Sequence, residues 1–443
     1  MLFTHAGRDV GILAVATGIS FAGDFMAANA LVLTLQAHGA SGFGIAALLL
    51  AATVPTVVLA PAAGRIVDRY SSRVLLITVG AAQALVCAAL AYVSAPVAVI
   101  ALMALLASGL AVTNPTMAAL IPQIVRRDQL GRASAHVQTV RMLGILAGPA
   151  LAGVLVGGYG PRLPLLIDAS SYLAVVAAGL LVRTVRRGGP LTAPATGRAT
   201  GGLGLVRRDP LLVGYLVLVT AGVAAVTADS VGSVFLIRAT LHASTTTYGL
   251  LEGLWAVAVI GGTWLIGRRT PGDVGLVRLV VGVLVVFGGV LLGMSAAPSL
   301  PWLVPLYVVG GMANGGLNLS SGVLFGRRVE PDARGRVGAV FAGVTNGGTL
   351  IGYVAGGLLL QVLAPRALYA LCGAVVLLVI ATMTVPVLRA ARRAAPSGVV
   401  GPPSYGPVPA SDAAPVPLCD EATVPGAVSG TGRQGPAEAG AVP

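Results

Sequence analysis

Twelve long apolar runs take up most of this chain and leave it one general architecture. A helical membrane span needs about 20 mostly apolar residues. Hydrocarbon offers no partner to an exposed backbone N–H or C=O, so such runs must be helices. The runs lie at about 10–35, 41–63, 74–95, 97–122, 134–157, 163–183, 211–236, 246–267, 276–296, 301–325, 336–361 and 366–388. Charged residues make up 10% of the chain, against about 25% in soluble domains, which argues against a soluble globular fold. The first run is long enough to span and lacks the pattern of a cleaved leader, so it is expected to stay in place.

The arginines give the orientation. If the N-terminus is inside, nineteen arginines fall in the inner connections and only Arg162, Arg238 and Arg366 in the outer ones. The positive-inside rule then places both termini in the cytoplasm. All 28 basic residues are arginine, a codon signature of a GC-rich bacterial genome, and the expected location is a bacterial plasma membrane. The net charge of +13 is scattered over short hydrophilic gaps, so nucleic acid is not expected as a partner.

The longest polar connection, 183–209, divides the spans six and six. The expected organisation is a first six-helix bundle at 1–190, a cytoplasmic linker at 191–210, a second bundle at 211–389 and a disordered Pro/Ala/Gly-rich tail at 390–443. The two halves are related. A constant shift of 204 places Asn114 on Asn318, Leu120 on Leu324, Asp128 on Asp332 and Gly131-Arg132 on Gly335-Arg336. The same ungapped shift places Gly144, Gly148 and Gly153 on Gly348, Gly352 and Gly357, and Pro161-Arg162 on Pro365-Arg366. Parallel repeats of this kind pack about an axis along the membrane normal, with a substrate site between them near the midplane.

On these residues the chain resembles a major facilitator superfamily transporter over about residues 8–389. It most resembles the exporter branch of enterobactin-type siderophore exporters and macrolide efflux proteins. The family's G-x-x-x-D-R-x-G-R-R/K signature between spans two and three stands as Gly64, Asp68, Arg69 and Arg73, with Ser71 and Ser72 replacing a glycine and an arginine. The span-five exporter motif stands as Gly144, Gly148, Pro149, Ala152 and Gly153; an earlier glycine of the pattern is Ala135. The Gly23-Asp24 pair also fits that branch. The basic residue typical of span four in proton antiporters is missing, with Leu105 near its place, so the resemblance leaves proton coupling open. It implies an all-α integral membrane fold with twelve transmembrane helices in two pseudo-symmetric six-helix bundles.

The stretch GRIVDRYSSR, Gly64–Arg73, reads as a tight cytoplasmic turn and gating loop, with Asp68 as a latch that bonds in one conformation only. The span-five glycines permit close helix approach, and Pro149 can kink its helix; ordinary tight packing is the alternative. Charges inside spans are costly and usually functional. Asp24 in span one and Arg141 in span five are expected to face each other in the first half. Asp229 and Glu252, in spans seven and eight, are further candidates for meeting a cationic substrate or carrying a proton. Asp168 in span six reads as structural. Thr17, Ser20, Asn114, Gln138, Tyr248, Trp255, Asn318 and Asn346 are candidate cavity lining, with interhelical packing as the competing reading.

Other functions lack their motifs. No G-x-x-x-x-G-K-[ST] phosphate loop appears, no G-x-S-x-G elbow, and the histidines and the three cysteines are dispersed. No catalytic residue, metal site or cofactor is expected. The leading expectation is a monomeric secondary transporter exporting a small amphipathic molecule (a drug, siderophore or secondary metabolite) by alternating access, with protons as candidate counter-ion. An importer of a polar small molecule and a non-transporting sensor or scaffold are the alternatives.

Overall fold

The computed structural model describes residues 5–126, 129–182, 184, 199–268, 273–329 and 333–393. Every regular element among them is helical. The first half comprises α1 (His5–Ala37), α2 (Gly42–Val58), α3 (Ala60–Arg69), α4 (Ser72–Leu90), α5 (Pro96–Ile124), α6 (Leu130–Tyr159) and α7 (Arg162–Leu181). A short connector, α8 (Ala199–Arg208), leads to α9 (Pro210–Val234), α10 (Thr245–Gly267), α11 (Asp273–Ser295), α12 (Leu300–Arg328), α13 (Arg334–Val362) and α14 (Pro365–Arg393). Connections of a few residues make neighbours antiparallel. Several helices start where a side chain satisfies an orphan N–H. Ser41 Oγ accepts from the Gly44 amide at 3.3 Å, Asp209 from Leu211 at 2.9 Å, and Ser244 from Thr247 at 3.0 Å.

Among the described residues ten helices are individually long and apolar enough to cross a membrane, and the bent pair α2–α3, taken as one span, makes an eleventh. The twelfth, α12, has 29 residues; Asn314, Asn318 and several glycines dilute its apolar run. The fold is the all-α arrangement of two pseudo-symmetric bundles that the repeat implies. In the first, α1 packs on α6 and α7, and α4 on α7; in the second, α9 packs on α13 and α14, and α11 on α14. Arg132 and Arg336 are each the third residue of equivalent helices, α6 and α13. The shared Asp128 and Asp332, and the tail beyond Arg393, lie outside the described residues.

The structure changes the reading of Gly64–Arg73. This stretch is mostly helix: Gly64, Asp68 and Arg69 lie in α3 and Arg73 in α4. Pro61 explains the helix start and the bend. It has no N–H to donate and its ring opposes the preceding turn, so the chain bends 53° between α2 and α3 and α3 restarts with proline in its first turn. Only Tyr70 and Ser71 are extended, and Ser71 caps α4. Arg73 donates to the carbonyls of Gly179 at 3.2 Å and Val182 at 3.1 Å. It therefore ties α4 to the end of α7 within its own bundle. The 191–210 connection is likewise not all loop, since α8 docks Val206 in an apolar cluster with Val329, Ala333 and Val337.

Where the bundles meet, glycines set the spacing. A Cβ on Gly153 of α6 would collide with the Gly249 Cα of α10 and lie 2.6 Å from the Gly249 nitrogen. A Cβ on Gly357 of α13 would collide with the Ala46 side chain of α2 and lie 3.1 Å from the Gly42 carbonyl. Gly153 and Gly357 are repeat mates, and both contacts lie toward the face opposite the start of α1. The bundles are thus closed together at that far face.

Candidate functional site

A cavity of about 350 Å³ lies between the bundles. Three carboxylates line it: Asp24 from α1, Asp229 from α9 and Glu252 from α10. The rest of the wall is aromatic (Phe25, Tyr248, Trp255, Tyr307, Tyr353), aliphatic, or weakly polar at Asn29, Thr53, Ser230 and Ser233. Among the described residues no arginine or histidine lines the cavity, and the chain has no lysine. The cavity can therefore hold positive charge on a ligand or proton and supplies none of its own.

Two of these acids are held in the same way. Tyr172 of α7 donates its hydroxyl to Asp24, and Tyr369 of α14 donates to Asp229. In each bundle, the last helix of the half presents a buried tyrosine to an aspartate on the first. The two pairs are staggered. Gly144 meets α1 at Gly18 and Ala22, and its repeat mate Gly348 meets α9 at Thr220. On that correspondence Asp229 stands about one helical turn nearer the far face than Asp24.

Behind Asp24 lies a buried polar cluster. Asp168 is fully buried and accepts from Ser171 at 2.9 Å and from the Cys87 thiol at 3.2 Å. A Cβ on Gly23 would run into the Asp168 carboxylate and lie 2.7 Å from Ser171 Oγ. The Gly23-Asp24 pair thus combines two needs, a gap for the carboxylate of α7 and an acid for the cavity. In the second bundle the repeat mate of Asp168 is Cys372 of α14, which lies close to Asp229 and brings no second aspartate. On that side Glu252 lies close to both Asp229 and Tyr248.

Arg141 does not face Asp24. It stacks over Phe21, 4.3 Å from the ring centroid, and reaches Gln138 at 3.4 Å. The Asp24 carboxylate instead takes the Tyr172 hydroxyl. The physical reason is that α1 and α6 are held in contact by Gly144 and Gly148, which leaves no room for a guanidinium between them at the level of Asp24. Among the remaining candidates, Tyr248 and Trp255 line the cavity. Thr17 is buried and bonds to the Leu13 carbonyl, and Ser20 is buried as well. Asn114 is half-buried, while Gln138, Asn318 and Asn346 are exposed; none of these six lines the cavity. Gly144 and Gly148 pack α6 on α1, Gly153 packs it on α10, and Pro149 alone of that motif reaches the cavity.

A family model described as the Major Facilitator Superfamily matches residues 13–295 and 227–417. The chain belongs to the Major Facilitator Superfamily. No curated protein matches it. Solved structures of transporters share its fold at low identity. The nucleoside transporter NupG is 12% identical with a TM-score of 0.65, over 86% of this chain and 99% of that one. A POT family transporter in complex with 5-aminolevulinic acid is 12% identical with a TM-score of 0.69, over 86% and 96%. A bacterial homologue of the iron transporter ferroportin, in an inward-facing state, is 16% identical with a TM-score of 0.64, over 87% and 98%. At these identities the likeness shows the fold, and the family match makes the chain a multi-pass membrane transporter.

Sequence reasoning missed Tyr172, Tyr369, Tyr307 and Tyr353. Asp24 and Asp229 are 205 positions apart, and Tyr172 and Tyr369 are 197 apart. Neither interval is the shift of 204, so the common arrangement does not appear in an ungapped comparison. A search for a tyrosine in the last span of each half would have found both.

Proposed function

We propose that this superfamily member is a secondary exporter that moves a small amphipathic molecule out of a bacterial cell in exchange for protons. Its N-terminal face is cytoplasmic, and one chain is the transport unit, because one chain supplies the whole cavity. The observation that carries the reading is the set of three cavity carboxylates on an apolar and aromatic wall with no basic side chain. Ionised acids in such a wall are costly unless a proton or a cationic ligand neutralises them. Occupancy by one or the other then links proton movement to ligand movement. Alternating access needs two states that ligand and proton favour differently, and Asp24 and Asp229 sit on opposite bundles, so their neutralisation can bias how the bundles meet.

The direction of transport is supported by the span-five glycines. Gly144 and Gly148 hold α6 on α1 and Gly153 closes it on α10 at the far face, which fits a cavity loaded from the arginine-rich side. The test uses the full chain in proteoliposomes with an imposed pH gradient and three reporters: ethidium, neutral Nile red and anionic carboxyfluorescein. Extrusion of at least one dye, abolished by a protonophore, is expected. Movement of all three that ignores the pH gradient, or no movement of any, would overturn the reading; uptake in place of extrusion would favour the importer.

A further inference from the structure

We propose that the second-bundle wall of the cavity, Glu252 with Trp255, Tyr248 and Tyr307, is the binding subsite for an organic ammonium or phosphonium cation, and that Asp24 on the opposite wall is not part of it. The proposal deepens the export reading and rests on it for the fate of the ligand; binding itself stands on the geometry.

Tyr248, Glu252 and Trp255 follow one another at spacings of four and three along α10, so they share one helix face, and all three line the cavity. The acid is thereby flanked by an aromatic ring on each side. The Trp255 ring is itself fixed. It meets Tyr307 edge to face at 5.8 Å and Phe287 at 6.3 Å. On α12 a Cβ at Gly310 would lie 2.6 Å from the Trp255 ring, so glycine there leaves the indole its place. Aromatic faces attract cations, most strongly when the cation is desolvated, and a carboxylate among them supplies the compensating charge.

A further polar group stands on this wall. Ser233 is buried and lines the cavity beside Tyr248. Asp229 receives the Tyr369 hydroxyl from behind, whereas Glu252 lies against Tyr248 on the cavity wall itself, so Glu252 is the acid set among the aromatic rings. The opposite wall is different. Asp24 is engaged by Tyr172, and the first-bundle lining of the cavity includes Ala28, Val32, Leu49 and Met103 with Phe25 as its one aromatic residue. A soft organic cation fits the aromatic wall better than a metal ion, since hard cations require several oxygen ligands. Among the described residues no group of three or more His, Cys, Asp or Glu is placed to hold a metal. The cavity volume lies at the low end for drug-sized ligands, so the ligand is of modest size.

The test is equilibrium binding to the full chain in detergent, without any gradient, using tetraphenylphosphonium and the neutral triphenylphosphine oxide. Trp264 and Trp302, 60% and 50% exposed, are replaced by phenylalanine, so that Trp255 fluorescence alone reports the cavity. Tetraphenylphosphonium is expected to quench Trp255 saturably, and the neutral probe to bind at least ~10-fold more weakly. Glu252→Gln should weaken the cation by ~30-fold or more, whereas Asp24→Asn should change it by less than ~3-fold. Trp255→Ala, read by dialysis, gives the same answer if Glu252→Gln does not fold, and Trp255→Phe should restore part of the affinity. No saturable binding by the parent chain, equal affinity for both probes, or a larger loss in Asp24→Asn than in Glu252→Gln would overturn the subsite. Binding without extrusion would leave the subsite standing and remove the export reading. Extrusion of other dyes without this binding pattern would do the reverse.

Discussion

The two bundles present a carboxylate to the same cavity from the same helix of the repeat, yet they surround it differently. Asp24 is backed by Tyr172 and, behind it, by the closed set of Asp168, Ser171 and Cys87. Asp229 is held by Tyr369 and opens onto Glu252 and an aromatic wall. The helix-spacing glycines, by contrast, are kept in register across the halves: Gly144 with Gly348, Gly148 with Gly352, Gly153 with Gly357. Packing between helices is set by backbone approach, and the same approach is needed in both halves if they are to rock about a common axis. Side chains facing the cavity carry no such requirement, so the repeat preserves scaffold and lets chemistry diverge.

The sharpest way to break this comparison is to neutralise each aspartate. Asp24→Asn keeps the size and removes the charge that a proton would neutralise. We expect complete loss of pH-gradient-driven extrusion with insertion into the membrane unchanged. Asp229→Asn should retain pH-gradient dependence and lose affinity for the extruded dye. Proteoliposome flux at imposed pH gradients, measured beside dye affinity, separates the two. Identical losses in both variants would mean that the bundles divide no labour.

The seal offers a second comparison. The α6–α10 contact is backbone on backbone, Gly153 against Gly249, and neither chain can yield. The α13–α2 contact is looser: a Cβ on Gly357 would collide with the Ala46 Cβ alone, the next atoms lying at 3.1 and 3.4 Å, where one on Gly153 would meet three backbone atoms within 2.8 Å. Overpacking costs about 1–3 kcal/mol, enough to shift a two-state equilibrium roughly 5- to 150-fold. Gly153→Val should therefore open the far face more than Gly357→Val does. Asn29→Cys, on the cavity wall, reports the opening through labelling by a membrane-impermeant maleimide added at the far face. Equal labelling in both variants would show that the two contacts yield alike.

Much of the scaffold was legible in the chain, because span length, arginine asymmetry and glycine spacing are local or periodic signals. Asp24, Asp229 and Glu252 stood out for a simple reason: an acid inside an apolar run is rare. Arg141 stood out on the same ground, and the expected pairing with Asp24 was wrong because proximity along the membrane normal says nothing about which helix face each occupies. Gln138, Asn318 and Asn346 are polar residues in apolar spans, yet polarity does not tell a cavity wall from another exposed surface. The helical nature of Gly64–Arg69 was hidden because its charges read as a turn, whereas Pro61 had already begun a new helix. Tyr307 and Tyr353 carried no signal beyond being aromatic; only the crossing of helices brings them to the cavity.

The smallest effect we predict tests whether the two tyrosine–aspartate pairs do the same job. A hydrogen bond to a charged group contributes about 1.5–3 kcal/mol, so Tyr172→Phe and Tyr369→Phe remove similar bonds from similar buried sites. The energies being alike, any difference in phenotype reports the step that each aspartate serves. Phenylalanine fills the same ring volume, and both tyrosines are nearly fully buried, so packing is disturbed little. Tyr172→Phe leaves Asp24 beside Asp168 with one donor fewer; we expect pH-gradient-driven extrusion to slow by ~10-fold and dye affinity to stay within ~2-fold. Tyr369→Phe frees Asp229 beside Glu252; we expect dye affinity to change by ~3- to 10-fold, with the dependence on the pH gradient intact. Flux and binding measured on the same two preparations decide the matter. If both variants move the same quantity by the same factor, the bundles act as equivalent halves, and the aromatic wall of the second bundle has no separate task.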